Sequence, residues 1–480
     1  MRTAAPTAKI ALVTVTLTGR ALTLDEVVRV ARDREQVVLA DGAAERMRAA
    51  RAVSERALAA GDEVYGLTTG VGVHKTVRVE SRSHDRVLVR QHLIAQGPPA
   101  PPDVVRATAL RLANALAQGT TFARPELAQL IVDALNADRL PPVRQLGSVG
   151  QGDLAQMADL AEGLLDGFVL EPGEAVPLLN QNAFATGQAA LALHDALVLL
   201  DTLDVAAALD LEALAASPGA LHPGIGAVRP STGVRETLER LRALREGSEA
   251  VPRNLQDPLS FRTVPQLHGA CRDALRFVRG QVELELNAHQ SNPLVLVDEG
   301  ALVSVGNFEA APLATALDLA RLALAQVLSS AAERAVKLLQ APLTGLPEGL
   351  GARPGLAESA LSELGIALQA LAAEARLLAQ PVSLELVSTM QAEGIEDRTT
   401  MAPLAARRLA EQVELGARVV AVELQLAAQA CDLRGHALGA GTARALATVR
   451  ELVPFVGEGD PLPDLEPLVV LVRSGGLAAP

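Results

Sequence analysis

The chain has no tryptophan and a single tyrosine in 480 residues, and aromatic side chains make up only 2% of it. A core that large rings cannot fill has to be closed by small and aliphatic side chains. Ala, Leu and Val dominate the 49% hydrophobic content, which predicts a mainly all-α protein. Cysteine is as scarce: Cys271 and Cys431 lie far apart and cannot by themselves build a disulfide framework or a cysteine zinc site, which fits a reducing compartment. None of the eight histidines stands in an HxH or HExxH spacing, so no metal is expected. Basic residues are outnumbered, 43 against 56 acidic, and the net charge of −13 argues against a nucleic-acid or anionic-membrane partner. No uninterrupted apolar run approaches the roughly 18 residues of a membrane span. The apolar stretch at residues 10–17 alternates Val and Thr like a strand rather than a signal-peptide core. The expectation is a soluble, cytoplasmic protein acting on a small molecule.

What is present is helical punctuation. Thr23 and Glu26 have capping-box spacing, in which a hydroxyl and a carboxylate satisfy the orphan amides of a helix start. Proline and glycine pairs at 98–99, 101–102, 141–142, 172–173 and 218–219 then break the first half into short segments with glycine-rich loops. Residues 183–215, 310–341 and 402–432 carry apolar side chains at helical spacing with sparse charge, as a buried multi-helix bundle requires. In the first of these, His194, Asp195, Asp201 and Asp204 interrupt the run and exclude a membrane span. The predicted division is an N-terminal domain, 1–182, and a helical bundle, 183–480. No internal repeat of 20 to 50 residues suggests a solenoid, and the Pro- and Gly-punctuated tail, 461–480, is expected on the surface.

The only tyrosine opens the run Tyr65-Gly66-Leu67-Thr68-Thr69-Gly70-Val71-Gly72. Three glycines in eight residues let backbone turn sharply or approach a ligand closely, with a phenol at the edge; a surface turn with a packed Tyr is the plainer alternative. The run resembles the Tyr-Gly-x-x-Thr-Gly-x-Gly loop of the aromatic amino acid lyase family, the histidine, phenylalanine and tyrosine ammonia-lyases. Further matches follow in that family's order: Arg111, Asn114 and Gly119; Gly147-Ser148-Val149-Gly150 with Gly152-Asp153-Leu154-Ala155; Leu178-Leu179-Asn180; and Gln256-Asp257-Pro258-Leu259-Ser260-Phe261-Arg262. Asn287, Asn292-Pro293-Leu294, Gly306-Asn307-Phe308 and Glu396-Asp397-Arg398 complete the series. The resemblance implies a histidine ammonia-lyase-like helical bundle and a homotetramer in which loops of three subunits build each site. It also implies roles: Tyr65 takes a β-proton, Asn180 positions the substrate, Glu396 lies near its amine and Arg262 holds its carboxylate. His92 and Leu93 match a pair that reads a ring substituent, and Gly72, Gln151, Leu259 and Asn292 join the substrate-binding set. Arg suits a carboxylate because its planar fork donates two charge-assisted hydrogen bonds. Each residue also has a structural reading: an ion pair for Arg262, a helix N-cap for Asn180, pairing with Arg398 for Glu396, simple packing for His92.

Departures from the family pattern accompany the matches. The family cyclises an Ala-Ser-Gly triplet before Asp-Leu into a methylidene-imidazolone; here the segment reads Gly150-Gln151-Gly152-Asp153, one residue shorter, and Gln151 has no β-hydroxyl. Leu259 replaces a tyrosine, and Ile395 replaces the glutamine that precedes Glu396. From these departures the sequence suggests an enzyme without that group and without any cofactor: a lyase, dehydratase, isomerase or cyclase acting on a carboxylate-bearing molecule. A non-catalytic relative and an unconventional aromatic amino acid ammonia-lyase are the alternatives. A general-base Tyr65 is expected to need a pKa lowered by neighbouring charge or by helix N-termini, such as one starting near Asp153.

Overall fold

The computed structural model describes residues 14–79, 83–384 and 394–478. The protein is mostly helical, as the aliphatic composition predicts, and falls into two compact units. The first takes Met1–Leu191, Gly280–Ala314 and Val382–Ala406; the second takes Ala192–Arg279, Thr315–Pro381 and Arg407–Pro480. Of the predicted N-terminal strand, residues 10–13 lie outside the described residues, as do 479–480 of the tail.

In the first unit, strand Thr14–Leu17 pairs in parallel with Gln36–Leu39, placing Thr14 opposite Gln36 and Leu17 opposite Leu39. The helix between them, Leu24–Ala31, starts at the predicted capping box: Thr23 Oγ1 accepts from the Glu26 amide, and the Glu26 carboxylate accepts from Thr23 N–H. Helix Pro102–Ala117 runs through the interior, so its polar side chains must find partners there. Arg111 donates Nε to the carbonyl of Glu285 at 2.8 Å and Nη2 to that of Ala288 at 2.6 Å. Burial lowers its pKa to about 10. Asn114 donates to Leu286 O at 3.0 Å and accepts from Gly19 N–H at 2.9 Å, and Asn287 exchanges two bonds with the Leu22 backbone. Gly119, at φ +71°, lies against Arg46 where a Cβ would clash. Arg111, Asn114, Gly119 and Asn287 therefore lock the scaffold.

The three predicted long helices are Ala183–Ala213, Ala311–Leu338 and Ala402–Arg434. A fourth long helix, Val264–Asn287, carries Arg and Glu through its apolar stripe and has no comparable apolar run. In the second unit they bury Leu200, Leu209, Leu324, Leu328, Val420 and Leu424 completely. A core this aliphatic still holds charge: Arg334 donates Nε to Asp210 Oδ2 at 2.8 Å and Nη2 to Glu423 Oε1 at 2.7 Å, with all three side chains fully buried. Burial and the Glu423 carboxylate push the Asp210 carboxyl well up despite Arg334. His268 and Arg272 share Asp204 in the same way. Helix Ala311–Leu338 is, among the described residues, the one helix long and apolar enough to cross a bilayer. It is mostly buried in protein and contains the buried Asp318, Arg321 and Arg334. The tail departs from the surface segment expected of it. Helix Glu466–Arg473 buries Leu468, Val469 and Val472, a helical stripe that the surrounding Pro and Gly obscure.

Candidate active site

The tyrosine loop is rigid because its threonines turn inward. Thr68 Oγ1 accepts from Val64 N–H at 2.8 Å and donates to Asp62 O at 2.6 Å, and both Thr68 and Thr69 are buried. Gly66, at φ +68°, lies on Val176, where a Cβ would collide with the valine methyl. This stitching brings the loop back on itself, so that Gly72 N–H donates to Tyr65 Oη at 3.1 Å. The phenol is half-buried, and the Glu396 carboxylate is near enough to act on it electrostatically. Burial raises the Tyr65 pKa above its ordinary value, the Gly72 amide opposes the rise and Glu396 adds to it. The lowered pKa anticipated for a general base is thus reversed. A desolvated phenol beside a carboxylate resists ionisation.

Glu396 reaches this position because its segment is pinned to the loop at 147–153. The amides of Thr400 and Met401 both donate to Val149 O at 3.0 Å, and Thr400 Oγ1 donates to Gly150 O at 2.7 Å. Gly150, at φ +80°, has no room for a side chain against Thr400 and the Ala402 amide. On the other side, Gly152 N–H donates to Asn182 Oδ1 at 2.9 Å. A Cβ on Gly152 would lie 2.8 Å from Asn180 Oδ1. Asn180 ends the short helix Ala175–Leu179 and is not an N-cap. That helix also carries Val176, which supports Gly66. The chain of contacts from Tyr65 through Val176, Asn180, Gly152 and Gly150 to Glu396 therefore closes on itself.

At the tip of this loop Gln151 Nε2 donates to Glu309 Oε2 at 3.1 Å, and the two residues form an isolated antiparallel bridge. Arg398 Nε stands 3.5 Å from the same carboxylate, so its described partner is Glu309. The matched motif ends at Phe308, and Glu309, Asn182 as a loop anchor and Thr400 carry no sequence signal beyond adjacency to matched residues. Asp153 is fully buried and caps the start of helix Ala183–Ala213 through the Ala185 amide at 2.7 Å, while Ser148 donates to its other oxygen at 2.8 Å. Burial raises the Asp153 carboxyl to about 6. The loop's one serine is thereby engaged, and it is followed by Val149, not glycine. Residues 150–152 thus read Gly-Gln-Gly where the family carries its Ala-Ser-Gly triplet.

Of the other expected residues, His92 caps helix His84–Gln91 and bonds Leu88 O through Nδ1 at 2.8 Å. Leu93 is partly exposed. Strand pairing of Gln96 with Leu146 sets this segment beside the 147–153 loop, yet neither side chain has a described contact with Tyr65. Asn292 accepts from Val305 N–H at 2.8 Å and precedes a cis proline. Arg262 and Leu259 belong to the second unit. Arg262 Nε donates to Asp257 O at 2.7 Å and has no carboxylate partner among the described residues, and Leu259 is 65% exposed.

The description of the aromatic amino acid lyases matches residues 22–167 and 160–451. The chain belongs to the aromatic amino acid lyase family. It is 36% identical to the histidine ammonia-lyase of Symbiobacterium thermophilum, covering 96% of this chain and 97% of that one. Among solved structures it is similar to ergothionase of Treponema denticola, an ergothioneine-degrading enzyme in complex with desmethyl-ergothioneine sulfonic acid. That likeness has a TM-score of 0.90 at 28% identity and covers 97% and 99% of the two chains. It is also similar to histidine ammonia-lyase of Trypanosoma cruzi, with a TM-score of 0.88 at 28% identity over 97% and 94%. These relatives overturn the expected function. Proteins 31–36% identical over nearly the whole chain bear the name histidine ammonia-lyase, which supports a conventional lyase of this family. The reading as an enzyme independent of the methylidene-imidazolone, with dehydratase, isomerase or cyclase chemistry, is corrected accordingly.

Proposed function

We propose that this protein is a carbon–nitrogen lyase that removes the amine from a small carboxylate-bearing substrate with an imidazole ring, the reaction class for which its histidine ammonia-lyase relatives are named. The observation that carries this reading is the Tyr65 hydroxyl, held by Gly72 N–H at 3.1 Å within the electrostatic reach of Glu396. An elimination needs a base for the β-proton and a negative group for a cationic amine, and these two residues supply them. A substrate ammonium entering between them offsets the Glu396 charge and favours the phenolate, so binding itself activates the base. Asn180, at the turn against Gly152, positions the substrate. His92, Leu93, Gln151, Asn292 and Gly72 contribute to substrate binding. The test is incubation with L-histidine while recording near-ultraviolet absorbance of the conjugated acrylate together with ammonia release.

The likeness to ergothionase favours a second reading in which the leaving group is a tertiary amine from a quaternary nitrogen. Such a nitrogen donates no hydrogen bonds, so it would be held by the Glu396 charge and the Tyr65 ring face. The trimethylated betaine of histidine, assayed beside histidine, separates the two. We further propose a cytoplasmic homotetramer. Phe277 and Leu284 on helix Val264–Asn287, and Ile366 and Leu377 on helix Leu364–Leu377, leave large apolar side chains exposed, surface that association would cover.

A further inference from the structure

Gln151 and Glu309 carry a pairing that the proposed chemistry has not used. A carboxylate only accepts hydrogen bonds, so the 3.1 Å contact with Glu309 Oε2 fixes which end of the Gln151 amide faces it: the NH2 group. The other end, Oε1, is buried and has no hydrogen-bond partner among the described residues. A buried carbonyl oxygen left without a donor costs about 1–3 kcal/mol, so such an atom in a ligand site marks where a ligand donor belongs. Glu309 is itself fixed from two sides. Its Oε1 accepts from Ala311 N–H at 3.0 Å, at the start of helix Ala311–Leu338, and Arg398 stands 3.5 Å from Oε2. The antiparallel bridge between residues 151 and 309 holds the two backbones in register. All these groups lie in the first unit, and the residue after Gln151, Gly152, abuts Asn180.

We propose that Glu309 is a positioning residue that locks the Gln151 amide so that Oε1 accepts a hydrogen bond from an N–H of the substrate's imidazole ring. The inference rests on the imidazole-bearing substrate proposed above. An accepting oxygen reads the protonated ring nitrogen and rejects a ring alkylated there, so Gln151 sets specificity and Glu309 sets Gln151.

The experiment compares L-histidine with its two ring-N-methyl isomers in the wild type, Glu309→Leu, Glu309→Gln, Gln151→Leu and the double variant Gln151→Leu/Glu309→Leu. In the wild type, one isomer should have a KM raised at least tenfold. Glu309→Leu and Gln151→Leu should each raise the histidine KM about tenfold with kcat changed far less, and both should lose the discrimination between isomers. The double variant should be no worse than either single one, because the two act as a unit. Glu309→Gln keeps an accepting oxygen and should restore KM to within about threefold of the wild type, which a purely structural role of the charge would not allow. Glu309→Leu also removes the Ala311 cap, so if it fails to fold, Gln151→Leu and Glu309→Gln decide alone. Unchanged isomer discrimination in Gln151→Leu, or strictly additive losses in the double variant, overturns the inference while leaving the lyase reading intact. A wild type that neither binds nor converts any of the three compounds overturns the substrate reading, and the inference with it.

Discussion

Replacing Gly150 by Ala should separate Glu396 from Tyr65 without touching either residue. Gly150 sits at φ +80°, and an added methyl would meet Thr400 Oγ1 and come within 2.9 Å of the Ala402 amide. An L-residue in the left-handed region costs roughly 1–2 kcal/mol. Displacing Thr400 breaks its 2.7 Å bond to Gly150 O, for about another 0.5–1.5 kcal/mol. The expected destabilisation is about 2–3 kcal/mol in denaturant unfolding. The functional loss should exceed it, because the same displacement shifts the segment from Thr400 back to Glu396, and a misplacement near 1 Å at a reacting centre costs on the order of a hundredfold. Thr400→Val is the milder companion: it removes only the hydroxyl bond and should cost about 1 kcal/mol and less than tenfold in kcat/KM. The assay is amine release by purified variants at matched oligomeric state. A Gly150→Ala protein with wild-type kcat/KM would refute the argument that this loop positions Glu396.

Tyr65→Phe should lower kcat by about a hundred- to ten-thousand-fold while the protein stays folded, since only the proton-transfer oxygen is lost. Because the Tyr65 pKa is raised, the free enzyme holds little phenolate at neutral pH; kcat/KM should climb up to about tenfold per unit between pH 7 and 9, and fall away as pH drops. Asp153, raised to about 6, binds its proton more tightly when folded than unfolded, so its contribution to stability is full below about pH 4 and is lost as pH rises through about 6. Unfolding titrations of Asp153→Asn should show a flatter dependence across that window than the wild type. Arg334→Met should destabilise by about 3–5 kcal/mol by stranding Asp210 and Glu423 together in the core, and replacing those two by Asn and Gln should recover much of the loss.

Much of the scaffold was legible because its signals are local. The helix-spaced stretches at 183–215, 310–341 and 402–432 end within a few residues of the observed helices, and Thr23 and Glu26 form the capping box their spacing predicts. Helix Val264–Asn287, which accepts hydrogen bonds from Arg111 and Asn114 near its C-terminal end, is hidden from spacing because frequent Arg and Glu dilute its apolar stripe. The order of motifs points to Tyr65, Asn180 and Glu396 as candidates, and the fold gathers them around one loop. That order could not supply the direction of the Tyr65 shift, which depends on burial and on a carboxylate 331 positions away in the chain. Glu309 was invisible for the same reason: its meaning comes from Gln151, 158 residues earlier, across a bridge only the fold creates. The departures at 150–152 point away from the function that the relatives support, because one loop carries less information than likeness along nearly the whole chain.

The most direct test of the account is amine release from an imidazole-bearing substrate by the purified protein. L-histidine and its trimethylated betaine, incubated separately, should give at least one reaction in which amine and conjugated acrylate appear in a one-to-one ratio, abolished in Tyr65→Phe. Release of neither ammonia nor trimethylamine, with no rise in near-ultraviolet absorbance from either compound, would contradict the claim that this chain is a lyase of imidazole-bearing amino acids.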